Sequence, residues 1–460
     1  MPILSSRLPR YTGPHGVGAI DLEADCDGRV IGDVKLKGTD VPALKVDTVF
    51  FTLYYPASPE SRKTIKPHLW VPRPISLTAA GYARFAHITN YLVDQIFTFF
   101  LWLLAGSIEI PAYVDVPVLA SHENVAVRTS TGGSEATLVD TVDKFPVVVF
   151  SHGMAGMRTS YSQWCGELAS RGFVVAAIEH RDGSGPGSMI RYSNGTERVL
   201  LHMNDNDLES DPPLTSDALK YQQLSLREAE MEETVRILSL LSSSADHGLS
   251  LHLSNPLHEG QALPSFEGRL DLTRTVIAGH SYGATGAMNA LKDSPTPPFA
   301  GGIALDPGKG SGPLNTKIDV PLLVINSGSW TKNQRDFYGK PHFQAVKDIA
   351  QGVLDRGKAA WFLTLSGTAH PSCTDAPLIH RTILKLATGT TLNERVALKQ
   401  YVDASVAFLQ FVGDGVRRGV LKEEVNNPNG PLGKDRGEKD GKEVVPYEMW
   451  EGWQVHVAPP

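Results

Sequence analysis

The 460-residue sequence predicts an α/β fold, a mostly parallel, doubly wound sheet with helical insertions. Three observations predict it. Apolar runs without alternation, such as FPVVVFSHG at 145–153 and TVIAGHS at 275–281, suit strands buried on both faces of a sheet. Helical stretches separate these runs, as parallel strands require. One run ends in Gly279-His280-Ser281-Tyr282-Gly283, a serine between glycines where a strand turns sharply into a helix.

The elements follow in order. Residues 17–56 read as a strand pair, clearest in VDTVFFTLYYP, which is rich in β-branched and aromatic residues. Residues 57–118 read as an insertion, with helical patterns through Ala105. FPVVVFSHG precedes a helix near 160–171, and FVVAAIEH at 173–180 precedes a polar, Gly-rich loop. A long helix is expected near 218–243. After the serine turn come GGIALDPG (301–308), VPLLVINSG (320–328) and AAWFLTLSG (359–367). These elements divide the chain into an N-terminal segment (1–16), an α/β domain (17–418) and a polar tail (419–460). The tail's charged, Gly-rich stretch reads as flexible. Its end, YEMWEGWQVHV, is expected to dock on the body through its aromatics.

Composition narrows the function. Apolar residues make up 41% and charged residues 20%, enough for a large core. The net charge of −7, with no compensating basic block, argues against nucleic-acid binding. Cys26, Cys165 and Cys373 are too scattered for a disulfide framework or a zinc site. No cluster has ligand spacing, so neither metal nor cofactor is expected. The N-terminus has no apolar core of signal-peptide length, which favours an intracellular, cytoplasmic protein. The longest apolar region, IFTFFLWLLAGSI at 96–108, is shorter than the roughly 20 residues that span a bilayer. It reads as a buried or an interfacial helix, so peripheral membrane contact is one expectation.

A serine is a weak nucleophile without a histidine base, and the base needs a carboxylate to fix its tautomer. In α/β hydrolases the chain order is Ser, acid, His, all from carboxyl ends of strands. Asp306 ends GGIALD, whereas Asp319 precedes its strand and so lies at the wrong edge. His370 follows the last strand, whereas His342 and His380 fall in helical or loop stretches. The expected set is Ser281, Asp306 and His370. The backbone N–H groups of Tyr282 and Met154 are the expected oxyanion donors. His152 reads as an orienting or packing residue and not as a base, because the chain order is wrong.

FPVVVFSHGMAGMRTSYS, GFVVAAIEHRDGSG, GHSYGA, GGIALDPG, PLLVINS and GTAHPSCTD resemble, in order, motifs of the plasma-type and intracellular platelet-activating-factor acetylhydrolases. The resemblance runs from about residue 17 to 415. It implies an α/β-hydrolase fold and calcium-independent cleavage of short or oxidised sn-2 acyl esters of phospholipids. It also implies the same triad and the same two oxyanion amides. The sequence departs from the family at Tyr282 and Ala284, where Phe and Gly are common. It departs again in PGKGSGPL after Asp306, where a bulky aromatic segment is usual. The alternatives are a general carboxylesterase, lipase or polyester hydrolase on this fold, or a binding protein without catalysis. Either way the partner is a phospholipid or small ester.

Overall fold

The computed structural model describes residues 7–58, 67–88, 90–120, 144–243, 251–252, 259–292, 299–432 and 452–460. Nine principal strands lie in one sheet: β1 (Gly16–Val30), β2 (Lys45–Ala57), β3 (Phe145–Ser151), β4 (Val174–Ile178), β5 (Leu270–His280), β6 (Gly301–Leu305), β7 (Leu322–Ser327), β8 (Ala360–Leu365) and β9 (Trp453–Val457). Their spatial order is 1-2-4-3-5-6-7-8-9, with Leu251–His252 and Tyr113–Val114 adding short pairings to β1.

From β4 to β8 every neighbouring pair is parallel. The β1–β2, β2–β4 and β8–β9 pairs are antiparallel. Strand side chains alternate between faces, and both faces are covered. Val149, Ile277 and Val324 face one core, and Val148, Val276 and Leu323 face the other. This explains apolar runs that show no polar alternation. The strand order reverses direction at β3. The chain goes from β3 to β4 on one side and to β5 on the other, so a crevice opens at the carboxyl ends of β3 and β5.

The helices that matter for the site are α1 (Ile75–Phe85), α2 (Tyr91–Ala105), α3 (Ser162–Ala169), α4 (Ser216–Ser242) and α5 (Tyr282–Ala290). They are followed by α6 (Gly328–Lys332), α7 (His342–Asp355), α8 (Ala376–Ile379), α9 (Arg381–Thr388) and α10 (Glu394–Asp414).

Two local features differ from the sequence expectation, and a third excludes one of two expected alternatives. The Gly-rich loop after β4 contains a hairpin, Gly187–Arg191 paired with Glu197–Leu201. Its turn is Asn194-Gly195, with Gly195 at φ +81°, and its short alternation is hidden between polar flanks. The tail boundary at 418 does not coincide with an end of the sheet, because β9 supplies the edge strand beside β8. Backbone pairing with β8 holds it, and Trp453 Nε1 donates to Gln400 Oε1 at 2.8 Å; Tyr447 and Trp450, also expected to dock, lie outside the described residues. Of the stretch expected to be flexible, residues 423–443, the first part is held instead: Asn426 and Asn427 N–H both donate to the Val455 carbonyl of β9 at 3.1 Å, and Gly430–Leu432 form a 3-10 turn, while residues 433–443 lie outside the described residues. Thirdly, α2 is not buried: only Ala105 is, and Phe99, Phe100 and Trp102 are each more than half exposed. Asn90 caps it by accepting from Val93 N–H at 2.9 Å. Among the described residues, no helix is long and apolar enough to cross a membrane.

Candidate active site

Ser281 stands between β5 and α5 at φ +56° and ψ −118°, a conformation that L-residues avoid. The flanking glycines are required by space. A Cβ on Gly279 would lie 2.2 Å from the Gly283 carbonyl oxygen, and one on Gly283 would lie 2.1 Å from that of Ser151. The turn is thus pressed against both its own helix and the end of β3.

His370 begins a 3-10 turn that follows β8. Its Nε2 lies 2.9 Å from Ser281 Oγ and its Nδ1 2.9 Å from Asp306 Oδ2. Asp306, just past β6 at φ +47°, is 2% exposed, whereas the His370 side chain is 33% exposed. Ser327 fixes the acid: its N–H donates to Asp306 Oδ1 at 2.5 Å and its hydroxyl to Oδ2 at 2.7 Å. Asp319 is exposed at the opposite edge of the sheet. Asp375 is buried, but it accepts from Ser162 N–H, Gln163 N–H and Trp70 Nε1, each at 2.9 Å, and so caps α3. His342 is buried at the start of α7, where burial, with nearby Lys309, pushes it down to about 3.

Two aromatic rings flank His370. Trp330 of α6 stacks on it at 4.0 Å and 10°. His280 lies 4.4 Å away on the other element. Burial, with His370 beside it, holds the His280 ring well below its ordinary pKa, so it remains neutral. His280 Nδ1 and the Tyr161 hydroxyl are 2.7 Å apart, and that hydroxyl accepts from Gly153 N–H at 3.2 Å. The serine turn and the loop after β3 are thereby tied together.

In that loop Ala155 N–H donates to the Ser184 carbonyl and Gly156 N–H to the Gly153 carbonyl. Among the described residues, the N–H groups of Met154 and Tyr282 have no acceptor. Both residues line the cavity of about 320 Å³ that opens on Ser281. His152 orients the loop: Nδ1 meets the Gly153 carbonyl at 2.8 Å, and Nε2 accepts from His180 N–H.

A second serine–histidine–carboxylate arrangement lies beneath. Ser151 Oγ is 2.7 Å from His180 Nε2, and His180 Nδ1 is 2.5 Å from Glu230 Oε2. Burial holds the His180 ring well below its ordinary value and the Glu230 carboxyl well above its own. Ser151, His180 and Glu230 are all buried. Arg227 joins this layer to the loop by donating to the His152 carbonyl at 2.6 Å.

The one group of metal-competent donors among the described residues is His280, Asp306 and His370. Their ring nitrogens already face Ser281, Asp306 and Tyr161, apart from His280 Nε2.

Sequence reasoning placed Ser281, Asp306, His370, Met154 and Tyr282, and the fold brings all five to one crevice. It missed Trp330, Ser327, Lys309 and Tyr161. The only available signals were the distance of 24 residues between Asp306 and Trp330 and the aromatic in GSW, and neither is a motif.

Fold and site together define an α/β-hydrolase, and the class is a carboxylic ester hydrolase. The ferulic acid esterase from Streptomyces cinnamoneus has a similar fold, with a TM-score of 0.53 at 17% identity over 92% of this chain and 96% of that one. The family model "Platelet-activating factor acetylhydrolase, isoform II" matches residues 3–418, and the chain belongs to that family. It is 26% identical to the platelet-activating factor acetylhydrolase of Canis lupus familiaris over 418 residues, 88% of this chain and 74% of the relative. The same-named protein of Gallus gallus is 25% identical over 422 residues, 88% of this chain and 83% of the relative.

Proposed function

We propose that this chain hydrolyses short or oxidised sn-2 acyl esters of phospholipids through an acyl-enzyme. The observation that carries the reading is the hydrogen-bonded line from Ser281 through His370 to Asp306 at a strained serine turn. Ser281 attacks the ester carbonyl while His370 Nε2 takes its proton. Asp306 holds the ring with its proton on Nδ1 and stabilises the imidazolium. The N–H groups of Met154 and Tyr282 receive the negative oxygen of the tetrahedral intermediate. His370 then protonates the leaving alcohol. Water activated by His370 releases the acid. The phospholipid class is supported by the family and by the names of its relatives.

The test is a chain-length series of sn-2 acyl glycerophosphocholines beside a long-chain triglyceride and a simple aryl ester. Turnover falling steeply beyond short acyl chains supports the reading. A preference for long-chain triglycerides, or for aryl esters alone, would replace it with a lipase or general carboxylesterase.

The reading extends to peripheral contact with a lipid surface through α2. Such a substrate partitions into bilayers, and Tyr91, Leu92, Phe99 and Trp102 leave an exposed apolar face. The helix holds Asp94 and no basic residue, and the net charge is −7. Binding should therefore be hydrophobic and nearly independent of salt. Leu101 packs partly on the core, so the informative variant is Phe99→Ser with Trp102→Ser, two exposed positions. We expect this variant to lose most co-sedimentation with phosphatidylcholine liposomes while keeping aryl esterase activity. Equal sedimentation of variant and parent counts against the contact. An intracellular setting is part of the same proposal, supported by three free cysteines.

A further inference from the structure

The cavity beside Ser281 carries two cations that the triad does not use. Lys309 follows Asp306 by three residues, and Arg335 lies beyond α6. Both line the cavity together with Ser281, Tyr282 and Trp330. We infer that Lys309 and Arg335 form an anion subsite that holds an anionic oxygen group of the ester bound at Ser281. The inference rests on the reading of Ser281 as the nucleophile. The shared chemistry is a phosphodiester in the alcohol part of the substrate or a carboxylate at the far end of its acyl chain.

Two observations support the subsite. The Lys309 ammonium donates to the carbonyls of Trp330 and Asn333 and lies 4.4 Å from the centre of the Trp330 ring. An ammonium has three N–H donors, so one is left for a ligand. The side chain is thus held in place before a ligand arrives, and Trp330 links it to His370 by stacking. Secondly, Arg335 is exposed, and no carboxylate among the described residues pairs with it within 4.0 Å. Its planar guanidinium suits bidentate binding of phosphate or carboxylate.

The subsite should titrate. Burial pushes the Lys309 ammonium down to about 8, opposed by the Asp306 carboxylate and helped by Arg335. His342 also faces it and is neutral, held down to about 3 by burial and by Lys309. Lys309 is therefore charged below about pH 8 and loses its charge above it. Anionic substrates should lose kcat/KM through that range, whereas neutral substrates should follow only the common ester-hydrolysis profile.

Two matched substrate pairs test this. In the acyl pair, p-nitrophenyl acetate is compared with the p-nitrophenyl monoester of glutaric acid. In the alcohol pair, alkyl acetyl glycerol is compared with alkyl acetyl glycerophosphocholine. Each charge-assisted bond should be worth roughly tenfold or more in the anionic-to-neutral ratio of kcat/KM. Lys309→Met and Arg335→Gln should lower that ratio in one pair, and Lys309→Arg should restore most of it. A fall in the acyl pair identifies the acyl carboxylate, and a fall in the alcohol pair identifies the phosphodiester.

Ratios unchanged in both pairs would overturn the subsite, even if both variants lose overall rate. So would equal losses on anionic and neutral esters, which would leave Lys309 as a clamp on the α6 carbonyls. Arg335→Gln is at an exposed position and keeps the test open should Lys309→Met fail to fold. If the parent cleaves aryl esters but no phospholipid, the phospholipid reading fails and the acyl pair alone judges the subsite. Turnover of no ester at all would overturn both.

Discussion

Ser281→Ala should lower turnover by on the order of a millionfold and abolish labelling by a fluorophosphonate. Removing Oγ leaves His370 with no proton to take, and no other serine described here meets a base at an open cavity. The fold should survive, because the elbow is built by the glycines around it. Gly279 and Gly283 give up their Cβ atoms to let the turn press on Ser151 and on its own helix. Alanine is also smaller than serine, so nothing is overpacked. The check is rate and labelling, with thermal unfolding measured in parallel. Labelling of the variant as strong as that of the parent would remove Ser281 from the mechanism.

Asp306→Asn should be nearly isosteric yet cost roughly ten-thousandfold in kcat. Asp306 accepts from Ser327 through both oxygens and from His370 Nδ1 through Oδ2. In the variant the amide oxygen can still accept from Ser327 N–H. Its NH₂ group then faces Nδ1 and donates to it. The ring proton is forced onto Nε2, directed at Ser281, so the base is lost while the geometry remains. Asp375→Asn is the informative control. It weakens the cap on α3, where Asp375 accepts from Ser162 and Gln163, and should cost stability of roughly 1 kcal/mol with little change in chemistry. If Asp375→Asn is instead the variant that loses four orders of magnitude, the acid has been misassigned.

The parallel strands were legible because burial on both faces erases polar alternation, which leaves runs such as VVVF and LLVIN. The triad was legible because the fold constrains chain order and strand end together. Asp306 follows its strand and Asp319 precedes one, a distinction that needs no coordinates. What lay beyond reach was contact between elements with no motif of their own. Trp330 reaches His370 from a helix of five residues, and Tyr161 reaches His280 from a turn before α3. The hairpin after β4 was hidden because its strands are short and half polar. The exposure of α2 was ambiguous because one apolar run fits a core helix and a surface one equally well. Only its packing against α1, with the outer face open, separates them.

The buried Ser151, His180 and Glu230 have a consequence for counting. By interatomic distance alone the described residues hold two serine–histidine–carboxylate arrangements. Ser151, His180 and Glu230 are all buried, whereas Ser281 lines the open cavity, so one of the two has a path for an electrophile to arrive. An active-site titration should therefore reach its end point at one equivalent of phosphonate per chain. The specific activity calculated from that end point needs no correction for a second, silent centre.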